Sequence, residues 1–122
     1  MRMSDEEYFR SCVAKERHLA HLLGHHNIEE FYESAGTLWE GNKALPKWTR
    51  DWKACGPLLA EYELALIFPK DAPHERSTTV QIGNIVVAYA DHPSKDRAVM
   101  VAIVKAVIFH LEHLKNHKSS LA

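Results

Sequence analysis

Thr78-Thr79-Val80-Gln81-Ile82-Gly83-Asn84-Ile85-Val86-Val87-Ala88-Tyr89-Ala90 is the stretch on which the fold turns. Two runs of β-favouring residues flank Gly83-Asn84, and both of those residues tolerate the positive φ of a two-residue hairpin loop. The reading is two antiparallel strands, 78–82 and 85–90, with Ile82 and Ile85 beside the turn. Upstream, Tyr62, Leu64, Leu66 and Phe68 alternate with Glu61, Glu63, Ala65 and Ile67, the period-2 signature of a further strand. A polar loop with two prolines, Pro69 to Ser77, joins the two regions.

Working outward, the pattern turns helical on both sides. Ser94 stands as N-cap of a last helix running to about residue 117, whose apolar stripe (Met100, Ile103, Val104, Val107, Leu111, Leu114) suits packing across a small sheet. Ser4-Asp5-Glu6-Glu7 is a capping box, so a first helix is expected over residues 5–23, stopped by Gly24. Its apolar face carries Phe9, Cys12, Val13, Leu19, Ala20 and Leu23. Asn27-Ile28-Glu29-Glu30 repeats the capping pattern, and Ile28, Phe31, Tyr32, Ala35, Leu38 and Trp39 follow at helical spacing. A second helix is therefore expected to about Trp39, ended by Gly41-Asn42. Residues 41–50 read as a loop, and residues 51–60 as irregular or short helical structure broken at Gly56-Pro57.

The order helix, helix, short helix or loop, three strands, helix defines an α+β domain. Two N-terminal helices, a three-stranded antiparallel sheet with a two-residue hairpin, and a long C-terminal helix packed on that sheet make one domain over residues 1–122. The opposite sheet face, with Ile67, Val86, Ala88 and Ala90, is apolar for open water. It calls for cover from the N-terminal helices or from a second subunit.

The bulk numbers narrow the function classes. Fifteen basic and sixteen acidic residues leave a net charge of −1, which argues against strong non-specific binding to nucleic acid. The start Met1-Arg2-Met3-Ser4-Asp5-Glu6-Glu7 turns acidic at once and does not read as a signal peptide. The longest apolar run, Ala98 to Leu111, is interrupted by Lys105 and His110 and falls short of the ~20 residues of a membrane span. A cytoplasmic chain with reduced thiols and no membrane partner is the expectation.

Histidine is the conspicuous residue type, with nine in the chain. His18, His21 and His25 have the spacing H-x2-H-x3-H, and so do His110, His113 and His117. At ~100° per residue each triad falls on one helix face. Histidines at i, i+3 or i, i+4 can chelate zinc, nickel or copper, and two such helices meeting along these faces would line a metal seam. The first triad lies opposite the apolar face of its helix, which favours a solvated stripe instead. No HExxH motif, phosphate-binding glycine loop or acid/base pair is present, so no catalytic residues and no cofactor are assigned. Cys12 falls on the apolar face of the first helix, and Cys55 precedes Gly56-Pro57 in a segment expected to be more exposed.

Trp39, Trp48 and Trp52 are interleaved with Lys43, Lys47, Arg50 and Lys53. Aromatic and basic residues together can bind a partner protein or nucleic acid, so Trp39, Trp48, Arg50 and Lys53 are partner-binding candidates. Trp52 is expected in the core, with Asp51 capping the turn before it and Gly56-Pro57 redirecting the chain into the first strand.

The stretch Thr49-Arg50-Asp51-Trp52-Lys53-Ala54-Cys55-Gly56-Pro57-Leu58-Leu59-Ala60-Glu61-Tyr62 resembles the central motif of the NinX-like family of small phage and prophage proteins. That motif is S/T-x-D-W, a few residues, then G-P-L/I and a strand, and Thr49, Asp51, Trp52, Gly56, Pro57 and Leu58 stand at those positions. A later strand pair and a closing alanine-rich helix, echoed by Ala98, Ala102 and Ala106, extend the resemblance more weakly to His110. It implies a phage or prophage accessory protein and supplies no catalytic residue.

The leading expectation is a non-catalytic protein acting by protein–protein interaction, as a homo-oligomer or on another protein. Transition-metal binding through the histidine triads is the first alternative. Nucleic-acid binding is the second, because helix, three strands, helix from Asp51 onward is similar to a double-stranded-RNA-binding domain. Only Lys95 and Arg97 stand where that module places its basic phosphate contacts.

Overall fold

The computed structural model describes residues 3–31 and 35–121, with side chains to residue 116. Its elements are α1 (Asp5–Leu22), β1 (Ile28–Glu30), β2 (Leu38–Glu40), β3 (Lys43–Ala44), α2 (Trp52–Glu61), β4 (Leu66–Ile67), β5 (Thr79–Ile82), β6 (Ile85–Ala88), a 3-10 turn (Tyr89–Asp91) and α3 (Lys95–Leu121). The class is α+β, with two three-stranded antiparallel sheets, β1-β2-β3 and β4-β5-β6.

The hairpin forms as its sequence dictates. Ile82 pairs with Ile85 across Gly83-Asn84. Only the glycine uses positive φ, at +58°, as the first position of a type II′ turn demands. α1 opens on the capping box: the Glu7 N–H donates to Ser4 Oγ and the Ser4 N–H donates to Glu7 Oε1, both at 3.2 Å. It closes at Gly24, φ +95°, with the His25 N–H reaching the Ala20 carbonyl at 3.0 Å in a Schellman pattern. α3 starts at Ser94, whose Oγ accepts from the Arg97 N–H at 3.1 Å.

α3 is the axis of the molecule. Every residue from Ala98 to Ile108 except Lys105 is buried. A helix apolar on all sides must be enclosed on all sides, and here α1, α2 and the β4-β5-β6 sheet each pack against it. Val80, Ile82 and Val87 supply the inner face of that sheet. The expected stripe of α3 is thus a full circumference along this stretch.

Three sequence expectations give way. Residues 28–40 are not a helix but two antiparallel strands, and a third strand follows at Lys43–Ala44. Asn27 does not cap: its φ of +54° is left-handed, whereas an N-cap needs extended backbone. Ala35 and Gly36, at φ +50° and +79°, and Gly41, at φ +64°, place further left-handed residues where a helix would need the right-handed region. Tertiary charge contacts hold the strands instead. Arg10 Nη2 meets Glu30 Oε2 at 2.9 Å, Arg17 donates to the Ile28 carbonyl at 3.1 Å, and Glu40 accepts from the His26 N–H at 2.6 Å. Tyr32, assigned to the same helix, lies outside the described residues.

Residues 51–60 form one regular turn-by-turn helix rather than a broken segment. Asp51 caps it, accepting from the Lys53 N–H at 3.0 Å. Pro57 lies inside it, and the Lys53 carbonyl left without a donor sits on the exposed side of the helix. The long strand expected over 62–68 shrinks to Leu66–Ile67. Tyr62 and Glu63 are consumed by the α2 C-cap, where Glu63 has φ +47° and the Leu64 N–H bonds the Leu59 carbonyl at 3.1 Å.

Candidate functional site

Among the described residues, the two histidine triads do not meet. His18 Nε2 lies 3.8 Å from Glu112 Oε2 on α3, and His25 Nδ1 lies 2.9 Å from Glu40 Oε1 on β2. The His25 contact and then the His26 N–H hold the Glu40 carboxyl below the usual carboxylate range. His21 borders a shallow groove with Leu22, Leu111, Leu114 and Lys115. His110 turns to a different side and packs edge-on against Tyr62, ring centres 5.6 Å apart. His113 is exposed, and the side chain of His117 lies outside the described residues. No group of three or more His, Cys, Asp or Glu side chains gathers in metal-binding geometry among the described residues.

The tryptophan-basic segment divides between core and surface. Trp48 is a core residue, 5% exposed. Trp39 is half-buried, and its Nε1 is buried without a hydrogen-bond partner among the described residues. Arg50 is engaged inward. Its Nε and Nη2 donate to Glu16 Oε2 and Oε1 at 3.1 and 2.6 Å, and Nη2 also donates to the Gly36 carbonyl at 3.0 Å. Thr49 completes the cradle, giving Oγ1–H at 2.6 Å and its N–H at 3.2 Å to Glu16 Oε2. Thr49-Arg50 is therefore a clasp that ties α1, the turn before β2 and the start of α2 around one buried carboxylate. Burial removes Trp48 from the surface, and the clasp occupies Arg50; Lys53 stays exposed.

Trp52 is a correction of the opposite kind: expected in the core, it is 43% exposed at the first position of α2. The residues after it, Ala54, Cys55 and Leu58, provide the inward face instead. Replacing Trp52 with alanine is accordingly expected to cost about 1 kcal/mol in urea unfolding, against about 3–5 for a buried aromatic. A loss above about 3 kcal/mol would return it to the core. Cys55 reverses its expectation too. It is fully buried beneath α3, its Sγ 3.7 Å from the Met100 carbonyl, and burial pushes its thiol up to about 12. Cys12 is buried as expected.

Among the described residues, the outer face of β4-β5-β6 remains open. Ile67, Gln81 and Val86 form one cross-strand row by register. Ile67 is 53% exposed and Val86 57%. Thr79 pairs with Ala88 further along the same face. Phe68, just beyond β4, is also exposed, with the Lys95 ammonium 5.2 Å from its ring centre. None of Ile67, Thr79, Gln81, Val86 or Ala88 carries a charge. The N-terminal helix covers α3, not this face.

The topological order α2-β4-β5-β6-α3 is present, but its two basic residues at the start of α3 turn to other work. Lys95 lies over Phe68 and Tyr89, and Arg97 lies over the Tyr8 ring with Nη2 3.5 Å from Cys12 Sγ. No protein family, curated protein or solved structure matches the chain. No helix of the described residues is long and apolar enough to cross a membrane.

Proposed function

We propose that this chain is a non-catalytic interaction protein whose partner is a second copy of itself, joined through the open face of β4-β5-β6. The observation that carries this is the exposed Ile67–Gln81–Val86 row on a face that no other element among the described residues covers. A two-fold interface sets the residues on its axis against their own images, so a charge at its centre would repel itself. This face has none, and a net charge of −1 adds little repulsion between copies. Ile67 and Val86 would give the apolar contact on either side of Gln81, and Gln81 and Thr79 the hydrogen-bonding groups of the central strand. The accessory role in phage or prophage biology rests on the resemblance at residues 49–62 alone.

Sedimentation equilibrium tests this reading. The wild-type chain is expected to dimerise at micromolar concentration. Val86→Lys and Ile67→Lys are expected to yield monomers with unchanged helix content, because both side chains already face water in the single subunit. A wild-type chain that stays monomeric at several hundred micromolar, or lysine variants that dimerise as it does, would end the proposal.

A further inference from the structure

A separate cleft lies between α1, the middle of α3 and the 3-10 turn. It measures about 410 Å³, and Tyr8, Ser11, Lys15, Asp91, His92 and Lys105 line it. Lys105 is the one residue between Ala98 and Ile108 that escapes the core. In that apolar stretch a lysine has no packing role, yet it brings its charge to the same cleft as Lys15 of α1. The ion pairs among the described residues join Arg10 and Arg17 to Glu30, His18 to Glu112, His25 to Glu40 and Arg50 to Glu16. Neither Lys15 nor Lys105 has a carboxylate within ion-pair distance among those residues. Burial, and then the Lys105 charge, lower the Lys15 pKa, so the fold holds two ammonium groups in mutual repulsion.

One neutral group of the cleft, His92, is a donor as well. The Tyr8 hydroxyl lies 2.5 Å from His92 Nδ1, and Arg97 stands over the Tyr8 ring at 5.2 Å. Burial first, then Lys105, Lys15 and Arg97, lower the His92 pKa against the opposing effect of Asp91, which favours the neutral imidazole. An imidazole that accepts from Tyr8 at Nδ1 keeps its own proton on Nε2 and remains a donor. Ser11 adds a hydroxyl, which donates to the Tyr8 carbonyl at 2.8 Å and retains acceptor capacity. Asp91, exposed at the rim, is the single carboxylate among the described lining residues.

We propose that this cleft binds a small phosphate monoester, with the phosphate between Lys15 and Lys105, His92 as hydrogen-bond donor, and Asp91 accepting from a hydroxyl of the organic part. A monoester carries about −1.5 to −2 charges near neutral pH and so answers both ammonium groups at once. A nucleic-acid backbone offers one charge per phosphate and needs a basic track. A chain of net charge −1 is poorly suited to that.

The probe is glycerol 2-phosphate, added at about pH 7.5, where the monoester is mostly the dianion, at constant ionic strength against chloride. Amide NMR is expected to show saturable shifts at Ser11, Lys15, His92 and Lys105. Lys15→Gln and Lys105→Gln are each expected to weaken binding at least about tenfold, as loss of a charge-assisted contact requires, while Lys70→Gln on the distant loop leaves it unchanged. Inorganic phosphate is expected to compete at the same residues. No saturable shift by about 20 mM probe, an affinity too weak to matter, would overturn the site. So would shifts reproduced by chloride, shifts indifferent to both glutamine variants, or binding of a single-stranded oligonucleotide without any response to the monoester.

Discussion

Replacing Arg50 with alanine is expected to destabilise the fold by about 3–5 kcal/mol, the range for stripping one partner from a buried ion pair. Glu16 is 1% exposed and sits on the inward face of α1, so its carboxylate has no access to water. Thr49 satisfies part of one oxygen, but both oxygens face Arg50. With the guanidinium gone, Glu16 is left charged and under-solvated, and the Gly36 carbonyl loses its donor. Glu16→Ala is expected to cost less, because the Arg50 side chain, 14% exposed, can still reach water. Urea unfolding followed by tryptophan fluorescence measures both. The double variant Glu16→Ala/Arg50→Ala is expected to lose clearly less than the sum of the singles, by at least about 1.5 kcal/mol of coupling. Additive losses, or an Arg50→Ala loss below about 1 kcal/mol, would mean that the pair is an ordinary surface contact.

The elements legible in the sequence were those whose signals are local. Ser4-Asp5-Glu6-Glu7, Gly24, Ser94 and Gly83-Asn84 each act within five residues, and each does in the structure what its chemistry dictates. The failure at 28–40 is instructive because an equally local signal lay within it. Gly41-Asn42 joins Glu40 to Lys43 with the same two residue types that join Ile82 to Ile85, and Gly41, at φ +64°, is left-handed like Gly83 at +58°. The flanks decided the reading. Valine and isoleucine surround one pair, whereas glutamate and lysine surround the other, and the helical spacing of apolar residues before it won. Residues 28–40 are held extended by α1 through Arg10 and Arg17 and by the loop after it through His26, and no spacing within the segment records that.

The same distinction separates the site residues. The histidine triads are visible because they repeat, yet a repeat on two helices says nothing about which faces meet. α1 brings His18 to Glu112, two residues from His110 in sequence but on another side of α3 from Tyr62, where His110 packs. Thr49-Arg50-Asp51-Trp52 stood out as a motif, and its roles fell in reverse order. The polar Thr49 and Arg50 turn inward to Glu16, while Trp52 faces water. A charged residue on the apolar face of α1 was the available clue. Glu16 lies three to four positions from Cys12, Val13, Leu19 and Ala20, all buried, and a carboxylate in that company needs a cationic partner from elsewhere. Lys105 in the apolar run of α3 was the matching clue to the cleft.

Gly36→Ala is the second substitution with a large expected effect, about 2–5 kcal/mol. Two independent costs meet there. The φ of +79° is left-handed, which any side chain disfavours by about 1–2 kcal/mol. A Cβ at this position would also lie 2.4 Å from Phe9 Cζ, with two further ring carbons at 3.0 and 3.2 Å. Phe9 would have to swing aside, and its ring is engaged by cations: Arg10 lies 4.8 Å from its centre and Arg50 5.4 Å. Overpacking of this kind costs about 1–3 kcal/mol. Because the Gly36 carbonyl is also an Arg50 acceptor, displacement of the turn strains the Glu16 clasp itself. The double variant Phe9→Leu/Gly36→Ala separates the two costs. The smaller side chain should recover the steric part, leaving about 1–2 kcal/mol of backbone strain. Thermal and urea unfolding of the single and double variants measure this. A Gly36→Ala chain within about 0.5 kcal/mol of wild type would show that the turn does not hold its left-handed geometry against α1, and the clasp would then lose its third arm.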